Sequence, residues 1–126
     1  MKSDIELLKI AYDAFNRREI EAVVSLMHES VDWPNGLEGG RVYGRAAVRD
    51  YWRRQWAVLD PRVDPVGFHE DRDGRTVVDV HQVVRDLNGT PLVDQMIRHA
   101  YSIRDGLIER MDILNAVASE PAGQLG

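Results

Sequence analysis

The chain is expected to fold as an α+β domain, with three N-terminal helices packed on a curved, mostly antiparallel sheet. Three observations predict this class. Apolar residues recur at helical spacing as far as about Leu59, and from Arg62 onward the period falls to two. The period-two region is divided at Asp73-Gly74, Asn88-Gly89 and Asp105-Gly106, dipeptides that readily take the positive φ angles of tight hairpin turns.

Taken in order, Ser3 followed three residues later by Glu6 is a capping-box pattern, and Ile5, Leu8, Ala11, Tyr12 and Phe15 then mark one helix face. A first helix is expected from about Asp4 to Arg17. Ile20, Val23, Val24 and Met27 keep the same period and predict a short second helix to about His28. Val31 to Trp33 reads as a brief strand stopped by Pro34, which lacks the N–H that a ladder needs. The four glycines of Asn35 to Gly44 predict a loop; they have no Gly-Lys-Ser/Thr after them, so they are not a phosphate loop. Val48, Trp52, Gln55, Trp56 and Leu59 then line one face of a third helix, from about Arg45 to Leu59. Strands follow at about Val63–Glu70, Arg75–Arg85, Leu92–Arg104 and Leu107–Asn115. One domain is expected over residues 1–117, with a small, polar, loose tail at 118–126.

Turn chemistry predicts register. The Asn88-Gly89 turn opposes Val84 to Val93, Gln82 to Gln95, Val80 to Ile97 and Val78 to His99 on one face, and Asp79 to Arg98 on the other. In the preceding hairpin, Gly74 as a bulge residue brings Phe68 beside Val78, which buries the ring. A two-residue loop at Asp105-Gly106 opposes Ile103 to Ile108, Tyr101 to Arg110 and His99 to Asp112. A three-residue loop would instead set His99 against Met111. The first count places an imidazole and a carboxylate within hydrogen-bonding reach on the core-facing side.

A chain of 126 residues suits one core. A net charge of -5, with no basic patch, excludes nucleic-acid and anionic-membrane partners from the expectation. Without cysteine, thiolate chemistry and disulfides are excluded, and the cytoplasm is the expected compartment. No apolar run approaches a membrane span, and no signal peptide is evident. His69 and His81 stand on different strands without grouped carboxylates, so no metal and no other cofactor is expected.

The order of elements carries a likeness, together with Tyr12-Asp13-Ala14-Phe15, Val31-Asp32-Trp33, Gly44-Arg45 and Arg104-Asp105-Gly106-Leu107-Ile108. Over residues 5 to 116 the chain resembles the nuclear transport factor 2-like superfamily, and within it the SnoaL-like polyketide cyclase branch. The resemblance implies a cone with a deep pocket and a homodimer through the convex sheet face, here Asp79, His81, Val83, Asp94, Met96 and Arg98. It also implies an aspartate near the last strand acting with a histidine, positions held by Asp112 and His99. Tyr12 matches the oxyanion-hole tyrosine of ketosteroid isomerases, but Trp33 occupies the place of their base and Asp32 is one residue away. Ala100 breaks the pattern of the epoxide hydrolases.

The expected function is a pocket for a small, largely apolar carbonyl compound. It would serve a cofactor-independent cyclase, isomerase or hydratase, or a binding or structural module of the same fold. Asp112 is the expected base, His99 its partner acid and Tyr12 an orienting donor. Trp33, Trp52, Trp56, Gln82, Gln95 and Tyr101 are the expected ligand-binding residues.

Overall fold

The computed structural model describes residues 3–114. Its elements are α1 (Asp4–Asn16), α2 (Ile20–Val24), β1 (Met27–Pro34), β2 (Arg41–Tyr43), α3 (Arg45–Val58), β3 (Asp60–Glu70), β4 (Thr76–Arg85), β5 (Pro91–Arg104) and β6 (Leu107–Leu114). One curved six-stranded sheet runs in the order β2-β1-β6-β5-β4-β3, antiparallel except where β1 lies parallel to β6. The helices cover one face, and a single cluster of buried side chains, centred on Leu8, Met27, Val31, Val48, Val78, Val80 and Ile108, fills the space between. The tail expected at 118–126 and the domain boundary at 117 lie outside the described residues.

The capping box forms: Glu6 N–H donates to Ser3 Oγ at 3.1 Å and Ser3 N–H to Glu6 Oε1 at 3.2 Å. At the other end of α1, Asn16 docks the helix on the sheet. Its amide donates to the Val63 carbonyl at 2.7 Å and accepts from Val63 N–H at 2.9 Å, so it completes the outer edge of β3 as a neighbouring strand would. Gly44 sits at φ 89 at the start of α3, a left-handed conformation that glycine takes without a Cβ penalty.

Two elements differ from expectation. The second helix stops at Val24, and Met27 opens a strand that runs to Pro34. Met27 is fully buried opposite Ile108, and its side chain would have suited a helical face equally well. What decides between them is a parallel partner some 80 positions away, which local periodicity does not report. Part of the expected glycine loop is also a strand, because Arg41–Tyr43 pairs antiparallel with β1.

The hairpins show how turns and bulges together set register. At Gly74, φ 80, the chain bulges and Phe68 pairs with Val78, as expected. At Asn88-Gly89 the turn is wider than two residues, with Asp86 N–H bonded to the Thr90 carbonyl. A compensating shift between Val84 and Arg85 nevertheless leaves Gln82 opposite Gln95 and Val78 opposite His99. At Asp105-Gly106 the opposite happens. Both residues take positive φ, the two-residue turn forms, and Ile103 meets Ile108, but the next pair inward is Ser102 with Arg110. Glu109 is the extra residue, a β-bulge that reverses every later side chain of β6. His99 therefore opposes Ile113, while Asp112 opposes Ala100. The expected His99–Asp112 pair does not exist, because a straight ladder would turn Arg110 and Asp112 inward and leave Met111 and Ile113 outside.

Glu109→Ala is expected to cost under about 1 kcal/mol, since it trims an arginine pair on the rim. Deletion of Glu109 is expected to abolish cooperative urea unfolding, because it drives Asp112 into the core and Met111 out. Near-equal midpoints for the two variants would contradict the bulge.

Candidate functional site

Between the helices and the inner sheet face lies a cavity of about 340 Å³. Its wall is apolar apart from a few groups, among them Tyr12, Tyr51, Gln55, Gln82, Gln95, His99 and Tyr101, and none of its lining side chains is charged in the way a lysine, arginine or carboxylate is. Trp33 and Trp52 stand edge to face in the wall, with ring centroids 5.5 Å apart. Trp56 does not belong to it. One turn beyond Trp52 on α3, it stacks on that ring at 5.8 Å and against Phe15 at 5.3 Å, with the Arg18 guanidinium 5.1 Å from its ring centroid. The cavity-facing stripe of α3 is instead Tyr51, Trp52 and Gln55, followed by Leu59 just past its end. Tyr51 was discernible in the sequence, three residues after Val48 on the same helical face.

Three buried polar side chains make one hydrogen-bonded chain at the cavity wall. Tyr101 O–H donates to the Tyr12 hydroxyl oxygen at 2.8 Å, and the Tyr12 hydroxyl is 2.7 Å from His99 Nδ1. Since Tyr12 oxygen accepts from Tyr101, its own proton is the one left for Nδ1. In that arrangement Nδ1 is the acceptor and a neutral ring carries its proton on Nε2; the reverse chain, with Nδ1–H donating to Tyr12, satisfies the same distances. Burial depresses the His99 pKa to about 4, so the ring is neutral at physiological pH. Burial likewise pushes both tyrosines above their ordinary value, and their mutual contact adds to the rise at Tyr12. The imidazole stacks nearly parallel to Tyr12, at 6.0 Å and 8°. Nε2 has no hydrogen-bond partner among the described residues, and the ring lines the cavity. The arrangement therefore offers an uncharged imidazole edge in mostly apolar surroundings, a donor when the proton stands on Nε2.

Asp112 lies on the outer face of the sheet. Arg110 bonds it at 2.9 Å and 3.0 Å, Arg41 at 3.2 Å, and Arg75 stands 3.6 Å away. The hydrogen bonds from Arg110 are the largest of the effects that lower its pKa. A carboxylate held ionised among three guanidiniums is a weak base. Asp32 closes the same network through Arg41 and through Arg110 at 2.6 Å. Among the described residues, no three His, Asp or Glu side chains converge as a metal site. None of the described helices is long and apolar enough to cross a membrane.

Linkage gives His99 a signature in stability. The unfolded histidine titrates near 6.5 and the native one at about 4, so between these values the unfolded chain binds a proton that the native chain does not. The stabilisation is complete above the upper value and is lost as pH falls through the window, by about 3 kcal/mol in all. Urea midpoints of wild type are expected to fall more steeply between pH 7 and pH 4.5 than those of His99→Gln. Parallel pH profiles would contradict a buried neutral imidazole.

Comparison with known proteins fits this geometry. The model for the SnoaL-like domain matches residues 9–111. TerC, crystallised with polyporic acid, is 32% identical, with 87% of this chain and 88% of that chain covered at a TM-score of 0.75. A protein of Pseudomonas putida provisionally named a polyketide cyclase is 20% identical over 93% of this chain and 94% of that one, with a TM-score of 0.78. An NTF2-like protein of unknown function from Burkholderia pseudomallei is 23% identical over 90% and 91%, with a TM-score of 0.77. No curated protein sequence matches. A family model spanning most of the chain makes this protein a member of the SnoaL-like family, with a fold that the NTF2-like neighbour shares.

Proposed function

We propose that the protein binds a small, flat, largely apolar carbonyl compound, whose oxygen accepts a hydrogen bond from His99 Nε2–H. The observation that carries this reading is the Nε2 of a buried imidazole, without a hydrogen-bond partner among the described residues, lining a cavity of about 340 Å³ that is otherwise mostly apolar. A ligand oxygen is a fitting partner for that nitrogen, which opens to the cavity and has no hydrogen-bond partner among the described residues. Trp33 and Trp52 supply faces and edges for a flat molecule. The crystals of TerC with polyporic acid support an aromatic carbonyl compound as the first ligand to try.

Polarisation of a carbonyl favours the enol, so the same contact would serve a cofactor-independent cyclase, isomerase or hydratase, with His99 as the catalytic residue and Tyr12 as the positioning residue. Tyr12 keeps Nδ1 supplied with a proton donor, and Tyr101 in turn fixes Tyr12. A second reading, that the pocket holds its ligand without turning it over, is favoured by the lack of any carboxylate among the cavity-lining residues to take the α-proton.

The two readings separate by experiment. Polyporic acid and acetophenone are expected to raise the melting temperature of wild type, and His99→Gln is expected to lose most of that gain. Deuterium uptake at the acetophenone methyl group, followed by NMR in D2O, should exceed the buffer rate if the protein is an enzyme, fall about tenfold or more in His99→Gln, and persist in Asp112→Asn. Stabilisation without exchange would establish a binding module. No stabilisation by any aryl ketone would remove the reading altogether.

We also propose a homodimer through the outer face of β4 and β5. There the pairs Asp79–Arg98 at 2.9 Å and His81–Asp94 at 2.7 Å flank Val83 and Met96, an alternation of apolar and compensated charged groups that suits self-association. Light scattering is expected to give twice the chain mass of 14.4 kDa for wild type and the monomer mass for Met96→Glu. A monomeric wild type would refute the assembly.

A further inference from the structure

We propose that Gln82 and Gln95 form a second recognition point in the cavity. It selects ligands that carry, opposite their carbonyl, a neutral group with a hydrogen-bond donor and acceptor side by side, such as a primary carboxamide. The proposal rests on the reading of His99 as the carbonyl anchor.

The two glutamines face each other directly across β4 and β5 on the inner face, and both line the cavity half-buried. Gln95 Nε2 donates to Gln82 Oε1 at 2.8 Å. This bond uses one donor and one acceptor, and leaves Gln82 Nε2 and Gln95 Oε1 with no side-chain partner among the described residues. Neither atom is sealed from the cavity, since the one enclosed side-chain atom without a partner among the described residues is Trp56 Nε1. Exchanging the oxygen and nitrogen of both amides would leave the same complement, an N–H donor beside a carbonyl acceptor. A carboxamide presents the matching acceptor and donor. A carboxylate does not, because it would set a negative charge against a carbonyl oxygen in a wall that holds no cation.

Position fixes the shape of the ligand. Gln95 precedes His99 by four residues on β5, about 13 Å at the usual strand rise, with buried Ile97 between them. A benzene ring substituted at both para positions bridges such a span with a hydrogen bond at each end. Both recognition points line one cavity, so a single molecule reaches both.

Titration calorimetry with 4-acetylbenzamide, acetophenone and 4-acetylbenzoate tests this on wild type and on Gln82→Leu/Gln95→Leu, whose fold is checked by circular dichroism. Wild type is expected to bind the carboxamide about tenfold or more tightly than either of the others, and the double variant to lose that preference while still binding acetophenone. Equal affinity of wild type for the carboxamide and acetophenone would overturn the proposal without any variant and leave the His99 anchor standing. A preference that survives in the double variant would also overturn it. If none of the three ketones binds wild type, the anchor itself fails and the proposal fails with it.

Discussion

The hydroxyl of Tyr12 is the tie on which the interior depends. It reaches from α1 to β5 and satisfies two buried groups at once, the Tyr101 hydroxyl and the Nδ1 of His99. Both partners are nearly without exposure, so losing the tie would leave two polar groups in apolar surroundings at about 1–3 kcal/mol each. The same bond occupies Nδ1 and leaves the Nε2 edge of the ring to act on a ligand. Helix docking and site chemistry are therefore one interaction. The Asn16 clamp on Val63, one turn beyond Tyr12, holds the C-terminal end of α1 to the sheet, so the tyrosine is aimed from a docked helix end.

A sheet wrapped around such an interior cannot keep straight ladders, and bulges supply both the curvature and the sorting of side chains. Glu109 is the consequential one. By adding one residue to β6 it sends Met111 and Ile113 inward and Asp112 outward, so that the cavity gains apolar wall and loses its nearest carboxylate. Asp112 gains a structural setting in return. With Asp32 it pairs Arg41 and Arg110 where β1, β2 and β6 meet, while Arg75, held by Asp71 at 2.8 Å, stands 3.6 Å from it; Arg41 also bonds the Met111 carbonyl at 2.5 Å. The network braces the sheet beside its one parallel pairing. The inside is left electrically neutral, with hydrogen-bond donors and acceptors as its means of discrimination.

Much of this was legible in the chain because it is local. The capping box, the helical stripe of α1, the turns at Gly74 and at Asp105-Gly106, and the β4–β5 register each rest on residues close in sequence, and each formed, although the turn at Asn88-Gly89 is wider than two residues. Tyr12, His99, Tyr101, Gln82 and Gln95 follow from those elements as inward-facing positions. The bulge is less legible: β6 carries apolar residues at 107, 108, 111, 113 and 114, and of these only Ile108, Met111 and Ile113 line the cavity, a spacing that breaks a period of two. Counting from the turn alone passed over that break and produced a pair that the ladder does not make.

What the sequence by itself determined is the class of the fold, the identity of the inward-facing residues on β4 and β5, and the few polar groups of a mostly apolar pocket. Local propensity and the period of two suffice for these. Tertiary structure decided the parallel union of β1 with β6, the strand hidden in the glycine-rich stretch, the exclusion of Trp56 and Asp112 from the cavity, and the meeting of Tyr12 with His99. The reason is physical. These depend on contacts between residues tens of positions apart, whose free energy is realised only when the whole core closes, and no local pattern encodes the order in which distant surfaces meet.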